Sequence, residues 1–228
     1  MTNTLTATEF RDAKRVQASL LSGVEKRTLI WIAERLPARI GPDHLTVLGF
    51  AAMAGAGVAY AFAGSYPILL WIVNLMLVIN WFGDSLDGTV ARVRNRLRPR
   101  YGYYVDHIID ALSAVFLFAG LGLSGYMSER VAMGMLMCYL LLAIQSYLAA
   151  HSLGVFSISW WKFSPTEMRI MLAIGNVVAY YWPYTKVFGP RLLFFDVAGG
   201  ISVLCMLGAM IVITVRNTLT LYRAERLS

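Results

Sequence analysis

The sequence predicts an all-α fold, a polytopic membrane bundle of six transmembrane helices preceded by an N-terminal amphipathic interfacial helix. Three observations lead there. Of 228 residues, 58% are hydrophobic and only 14% charged, too apolar a balance for a domain whose whole surface is wetted. Six apolar segments can be drawn at about 45–64, 67–91, 103–126, 130–151, 166–183 and 193–216, each near the ~20 residues that the bilayer core demands. Lys and Arg outnumber Asp and Glu by 20 to 13, and they are spread very unevenly over the connecting loops.

Residues 1–40 begin as a polar tail and continue with apolar residues at helical spacing among Lys14, Arg15, Lys26, Arg27, Arg35 and Arg39. This is the pattern of a helix lying in the membrane interface. No apolar core followed by a small-residue cleavage site opens the chain, so no cleaved signal peptide is expected. Pro67, Pro165 and Pro190 fall at or just before three span starts, where a missing N–H costs least. Ser164-Pro165-Thr166-Glu167 reads as a capping box for the fifth span. Asp43 is expected to cap the first, and the small residues of AAMAGAGVAYAFAG to let it pack closely on its neighbours. Cys138 and Cys205 lie in apolar stretches without a nearby thiol and read as core filler.

Orientation follows from the loops. The segments place 17 of the 20 Lys and Arg on one face and only Arg130, Lys186 and Arg191 on the other. By the positive-inside rule both termini and the Arg92–Arg100 loop are cytoplasmic, in what is expected to be a bacterial or archaeal cytoplasmic membrane. The excess positive charge is accounted for by topology and anionic lipid; no aromatic-interleaved basic patch points to nucleic acid.

Residues 83–110, GDSLDGTVARVRNRLRPRYGYYVDHIID, hold the chemistry. Four aspartates stand there in or beside apolar helix sequence, where a charge costs about 2.5–3.5 kcal/mol and so calls for a function. Asp84 and Asp87 are three apart, Asp106 and Asp110 four apart, and each spacing puts both carboxylates on one helix face. Oxygen ligands without nearby Cys suit a hard divalent cation, and Mg²⁺ shares its shell readily with phosphates. Gly83 and Gly88 leave room for a phosphate near the backbone, with Arg92 one turn further on as its partner.

At these positions the chain resembles the CDP-alcohol phosphotransferases, whose pattern is D-x-x-D-G-x-x-A-R, a linker, then G-x-x-x-D-x-x-x-D. Asp84, Asp87, Gly88, Ala91 and Arg92 match the first half, and Gly102, Asp106 and Asp110 the second. The linker between Arg92 and Gly102 has nine residues, one more than the usual form. The P-x-x-L-T run from Pro42 to Thr46 is similar to the family's P-N-x-L-T.

The resemblance implies a phospholipid-synthesis transferase that takes a substituted phosphate from a CDP-linked donor to an alcohol, releasing CMP. It implies one or two Mg²⁺ (or Mn²⁺) ions on Asp84, Asp87, Asp106 and Asp110, with Asp110 also the general base. Gly88, Ala91, Arg92 and Gly102 would border the nucleotide, and a homodimer is expected. Residues 1–40 are then a cytoplasmic tail and juxtamembrane helix, and 41–228 the transmembrane catalytic domain.

Chain length favours the branch that uses CDP-diacylglycerol. His107 and Pro165-Thr166-Glu167 instead look similar to the branch that joins a CDP-linked choline or ethanolamine to diacylglycerol. His107 and Arg169 are candidate acceptor-site groups, and Arg94–Arg100 with Lys162 could receive a phosphorylated acceptor. A divalent-cation channel or carrier is the rival from another class. It would need acids distributed across the bilayer, whereas both aspartate pairs sit on one side and Asp196, near the far end, is isolated. A prenyl transferase is a further rival, but its motifs are DDxxD-like and its bundle larger.

Overall fold

A computed structural model describes residues 14–16, 22–153, 155–157, 165–186 and 189–225. Lys162, Ser164, Arg226 and the first 13 residues fall outside these, and with them half of the expected capping box. The described chain is a helix bundle: α1 Ser22–Arg35, α2 Pro42–Ala63, α3 Leu69–Val93, α4 Pro99–Leu123, α5 Glu129–Leu153, α6 Pro165–Tyr181 and α7 Phe194–Ala224. Short strands add a parallel pair, Lys14–Val16 (β1) with Val155–Ser157 (β2). Tyr184–Lys186 (β3) and Arg191–Leu193 (β4) form an antiparallel hairpin that turns α6 into α7.

Five helices, α2 to α5 and α7, are long and apolar enough to cross a membrane. The remaining predicted span is α6, whose 17 residues rise about 26 Å. It runs antiparallel along α3, from Arg169 at Asp84 to Tyr180, whose ring meets Trp71 edge-on at 6.1 Å. Pro42, Pro99 and Pro165 open α2, α4 and α6, at positions where proline removes no helical hydrogen bond.

The centre of the bundle is α2. Where α2 crosses α4, a Cβ added at Gly57 would lie 2.3 Å from the Phe116 carbonyl oxygen, and one at Gly120 only 2.0 Å from that of Gly57. Where it crosses α3, a Cβ at Gly83 would lie 2.5 Å from the Leu45 carbonyl. Backbone-to-backbone approach of this kind drives helix association in lipid, where apolar burial alone gives little. Gly83 therefore serves packing, and the expectation that it clears space for a phosphate is corrected. Cys138 is buried as expected, but Cys205 is exposed on α7 and is not core.

The amphipathic helix is present as α1. Leu29 and Ala33 pack with Leu45, Leu86 and Val90, while Trp31 faces outward beneath the Arg35 guanidinium at 4.3 Å. This seats α1 on the end of α3 that carries the aspartates. Its link to α2 is held by Arg94, which donates to the carbonyls of Ile40 at 2.6 Å, Leu36 at 2.7 Å and Pro37 at 3.2 Å. Arg94→Ala removes a charged donor from three carbonyls, a loss of about 1.5–3 kcal/mol. Limited proteolysis between residues 36 and 41 is expected to speed up roughly tenfold, equivalent to about 1.4 kcal/mol. Unchanged cleavage would show that the link does not depend on Arg94.

Candidate metal and transfer site

Asp84 lies nine residues before the end of α3, and Asp106 seven residues into α4. Because the two helices join through a short turn at residues 94–98, these positions come to one level. Asn95, at φ 53°, takes the left-handed conformation that Asn tolerates better than most residues. Each of Asp84, Asp106 and Asp110 offers a carboxylate oxygen, all within 4.8 Å of one another. Octahedral Mg²⁺ with oxygens at about 2.1 Å separates its ligands by about 3 Å or about 4.2 Å. The three oxygens fit such an ion with small adjustments, and an all-oxygen donor set suits it chemically.

Asp87 lies one turn from Asp84, beside the closest cluster. Its Oδ2 accepts from the Thr46 hydroxyl of α2 at 2.6 Å, which directs the carboxylate along the α2 side of the site. A Cβ at Gly88 or Gly102 would meet nothing within 4 Å, so open space borders the acids on both helices. Ala91 is half-buried in the last turn of α3, its carbonyl accepting from the Arg96 N–H at 2.8 Å, and Arg92 donates to Thr89 Oγ1 at 3.3 Å.

The basic groups expected to receive a phosphorylated acceptor are largely engaged elsewhere. Arg94 is committed to three carbonyls, and Arg98 pairs with Asp43. That pairing also corrects the expected cap: Gly41 is the N-cap of α2, and its N–H donates to His44 Nδ1 at 3.2 Å. Arg169 donates to Asp84 Oδ2 at 2.6 Å and, through Nε, to Asn80 Oδ1 at 2.7 Å. His107 stacks on Tyr103 with ring centroids 4.1 Å apart and meets Tyr147 edge-on at 4.9 Å. Its Nδ1 lies 2.6 Å from the Tyr103 carbonyl and 3.8 Å from Asp106 Oδ2. Asp196, the acid at the far end, accepts from the Ser128 N–H at 2.6 Å and ties α5 to α7.

Four polar residues, one beside the acids and three deeper in the bundle, were not singled out by sequence reasoning. Asn74, Asn80 and Asn176, with Tyr60, form hydrogen bonds across α2, α3 and α6. Their signal was present, because an amide inside an apolar span needs a partner.

The sequence profile described as CDP-alcohol phosphatidyltransferase matches residues 39–222. The chain belongs to this family. It is also similar to the CDP-diacylglycerol–serine O-phosphatidyltransferase of Encephalitozoon cuniculi, 32% identical over 124 residues, which are 52% of this chain and 32% of that protein. The archaetidylinositol phosphate synthase of Pyrococcus horikoshii is 31% identical over 113 residues, 50% of this chain and 53% of that enzyme. The matches thus span about a third and about half of these relatives' lengths. Membership agrees with the aspartate pattern, the helical bundle and the membrane-length helices.

Proposed function

We propose that this family member transfers a phosphatidyl group from CDP-diacylglycerol to a small alcohol and releases CMP. The observation that carries the reading is the convergence of Asp84, Asp106 and Asp110 within 4.8 Å at one end of the bundle. The Encephalitozoon relative, whose name specifies CDP-diacylglycerol, supports the choice of donor.

Asp84, Asp87, Asp106 and Asp110 would hold one or two Mg²⁺ or Mn²⁺ ions. When bound, the metal neutralises pyrophosphate charge and improves CMP as a leaving group. Asp110 accepts the proton of the acceptor hydroxyl as its oxygen attacks the phosphorus attached to diacylglycerol. The new O–P bond replaces the bond to the CMP oxygen, and the proton passes from Asp110 to water. Gly88 and Gly102 leave room for the nucleotide, with Ala91 and Arg92 at its border. The acid-bearing end faces the cytosol, where a nucleotide arrives from water and a lipid tail from the side. Two copies pair, as the family resemblance implies.

Detergent-solubilised protein given Mg²⁺, CDP-diacylglycerol and separate labelled acceptors (serine, inositol, inositol phosphate, glycerol phosphate, choline) should release CMP with one of them. CDP-choline with diacylglycerol is run alongside. Turnover only in that second arm would move the chain to the choline and ethanolamine branch. Cation flux from vesicles without any nucleotide turnover would instead favour the channel.

A further inference from the structure

Arg169 is held more firmly than a group awaiting a ligand. Its side chain is 14% exposed, and its fork bridges Asp84 Oδ2 and Asn80 Oδ1. Asn80 is itself buried and donates to the Gly49 carbonyl at 2.9 Å, so α2 and α3 together fix where the guanidinium points. The position of α6 along α3 is set separately, deeper in the bundle. Tyr60 donates to Asn176 Oδ1 at 2.6 Å, Asn176 Nδ2 to Asn74 Oδ1 at 2.7 Å, and Asn74 Nδ2 to the Ala173 carbonyl at 3.3 Å. Asn176 follows Arg169 by seven residues, about two turns, so both project from one face of α6. Tyr60 and Asn176 are 0% exposed. A sliding α6 would strand these buried polar groups without partners, so the ladder locks its register.

We propose that Arg169 is a resident counter-cation of the acid cluster, a positioning residue seated by Asn80 and the Asn74–Asn176–Tyr60 ladder, that competes with the divalent ion for Asp84. The proposal rests on the reading of the cluster as a metal site. The guanidinium engages one oxygen of Asp84 and sets a fixed positive charge beside the place a dication must occupy. Between ions it holds the carboxylates together against their mutual repulsion. When an ion arrives it lowers the affinity, which favours exchange after turnover. A side chain that anchored only the acceptor would leave ion binding in the absence of substrates unchanged.

The full chain in detergent, without nucleotide or acceptor, is titrated with Mn²⁺, and free Mn²⁺ is read by electron paramagnetic resonance. Arg169→Gln is expected to bind Mn²⁺ about three- to tenfold more tightly, because a like charge leaves the site. Asn176→Leu, which loosens the seat and keeps the arginine, should shift affinity the same way by a smaller factor. Arg169→Lys should return it toward the parent. Unchanged or weaker binding by Arg169→Gln overturns the proposal; if that variant does not fold, Asn176→Leu decides by the same titration. A parent chain that binds no Mn²⁺ would sink the metal reading and this proposal together, whereas binding indifferent to Arg169 sinks this one alone.

Discussion

Asp106→Asn is expected to lower CMP release by about a thousandfold or more while leaving the bundle folded. Asparagine keeps the shape of the side chain and part of its hydrogen bonding but loses the charge that a hard cation selects. Asp106 starts from α4 and Asp84 from α3, so their oxygens within 4.8 Å would be the means by which two helices share the proposed ion. Loss of either would leave the other helix with an incomplete shell. The stability effect has the opposite sign. Three carboxylates crowded together repel one another, and deleting one charge relieves that repulsion in the metal-free protein. Asp106→Asn should therefore unfold no earlier than the parent in chelator, yet gain less from added Mg²⁺. Thermal unfolding with and without the ion reads this directly. Normal turnover in the variant would remove Asp106 from the proposed ligand set.

Asp110→Asn should be equally inactive for a second reason. With the proposed base lost, raising the pH ought to recover some turnover as the acceptor hydroxyl supplies its own oxyanion, whereas Asp106→Asn should show no such recovery. The difference between the two pH profiles separates the roles of the two acids.

The acids could be seen in the sequence because a carboxylate in an apolar helix is costly enough to demand an explanation, and because spacings of three and four fix a helix face without tertiary knowledge. Alternation of spans and the loop arginines then brought Asp84 and Asp106 to one end. What the sequence could not carry was pairing over distance. Arg169 and Asp84 are 85 residues apart, Tyr60 and Asn176 116 apart, and no local pattern joins them. Arg94 and Arg98 looked like open loop cations, because their partners, the carbonyls of residues 36–40 and Asp43 in the first turn of α2, lie some 50 residues earlier in the chain. Gly83 and Gly88 looked alike in sequence, yet one is pressed against Leu45 and the other faces open space. A missing side chain does not announce which neighbour needs the room. The short strands escaped for a related reason: three-residue segments carry too little periodicity to read.

The largest structural effect is expected at Gly120, where alanine should cost at least about 3 kcal/mol, the upper end of ordinary overpacking. The added Cβ would stand 2.0 Å from the Gly57 carbonyl oxygen, 2.6 Å from its carbon and 2.7 Å from its Cα. None of these atoms is the end of a flexible side chain, so relief requires α2 and α4 to separate. Separation is also a functional injury. Helix α4 carries Asp106 and Asp110, while α2 touches Asp87 through Thr46 and Asn80 through the Gly49 carbonyl. Moving one against the other opens the acid cluster from a point about 15 Å away, ten residues along α4 from Asp110. The control is Gly208 in α7, where a Cβ meets nothing within 4 Å. Alanine there should stabilise by up to about 1 kcal/mol through its helix propensity. Thermal unfolding of the two variants in the same detergent compares them. If Gly120→Ala melts with Gly208→Ala, the backbones of α2 and α4 are not in contact, and the site must be held in register by something other than this seam.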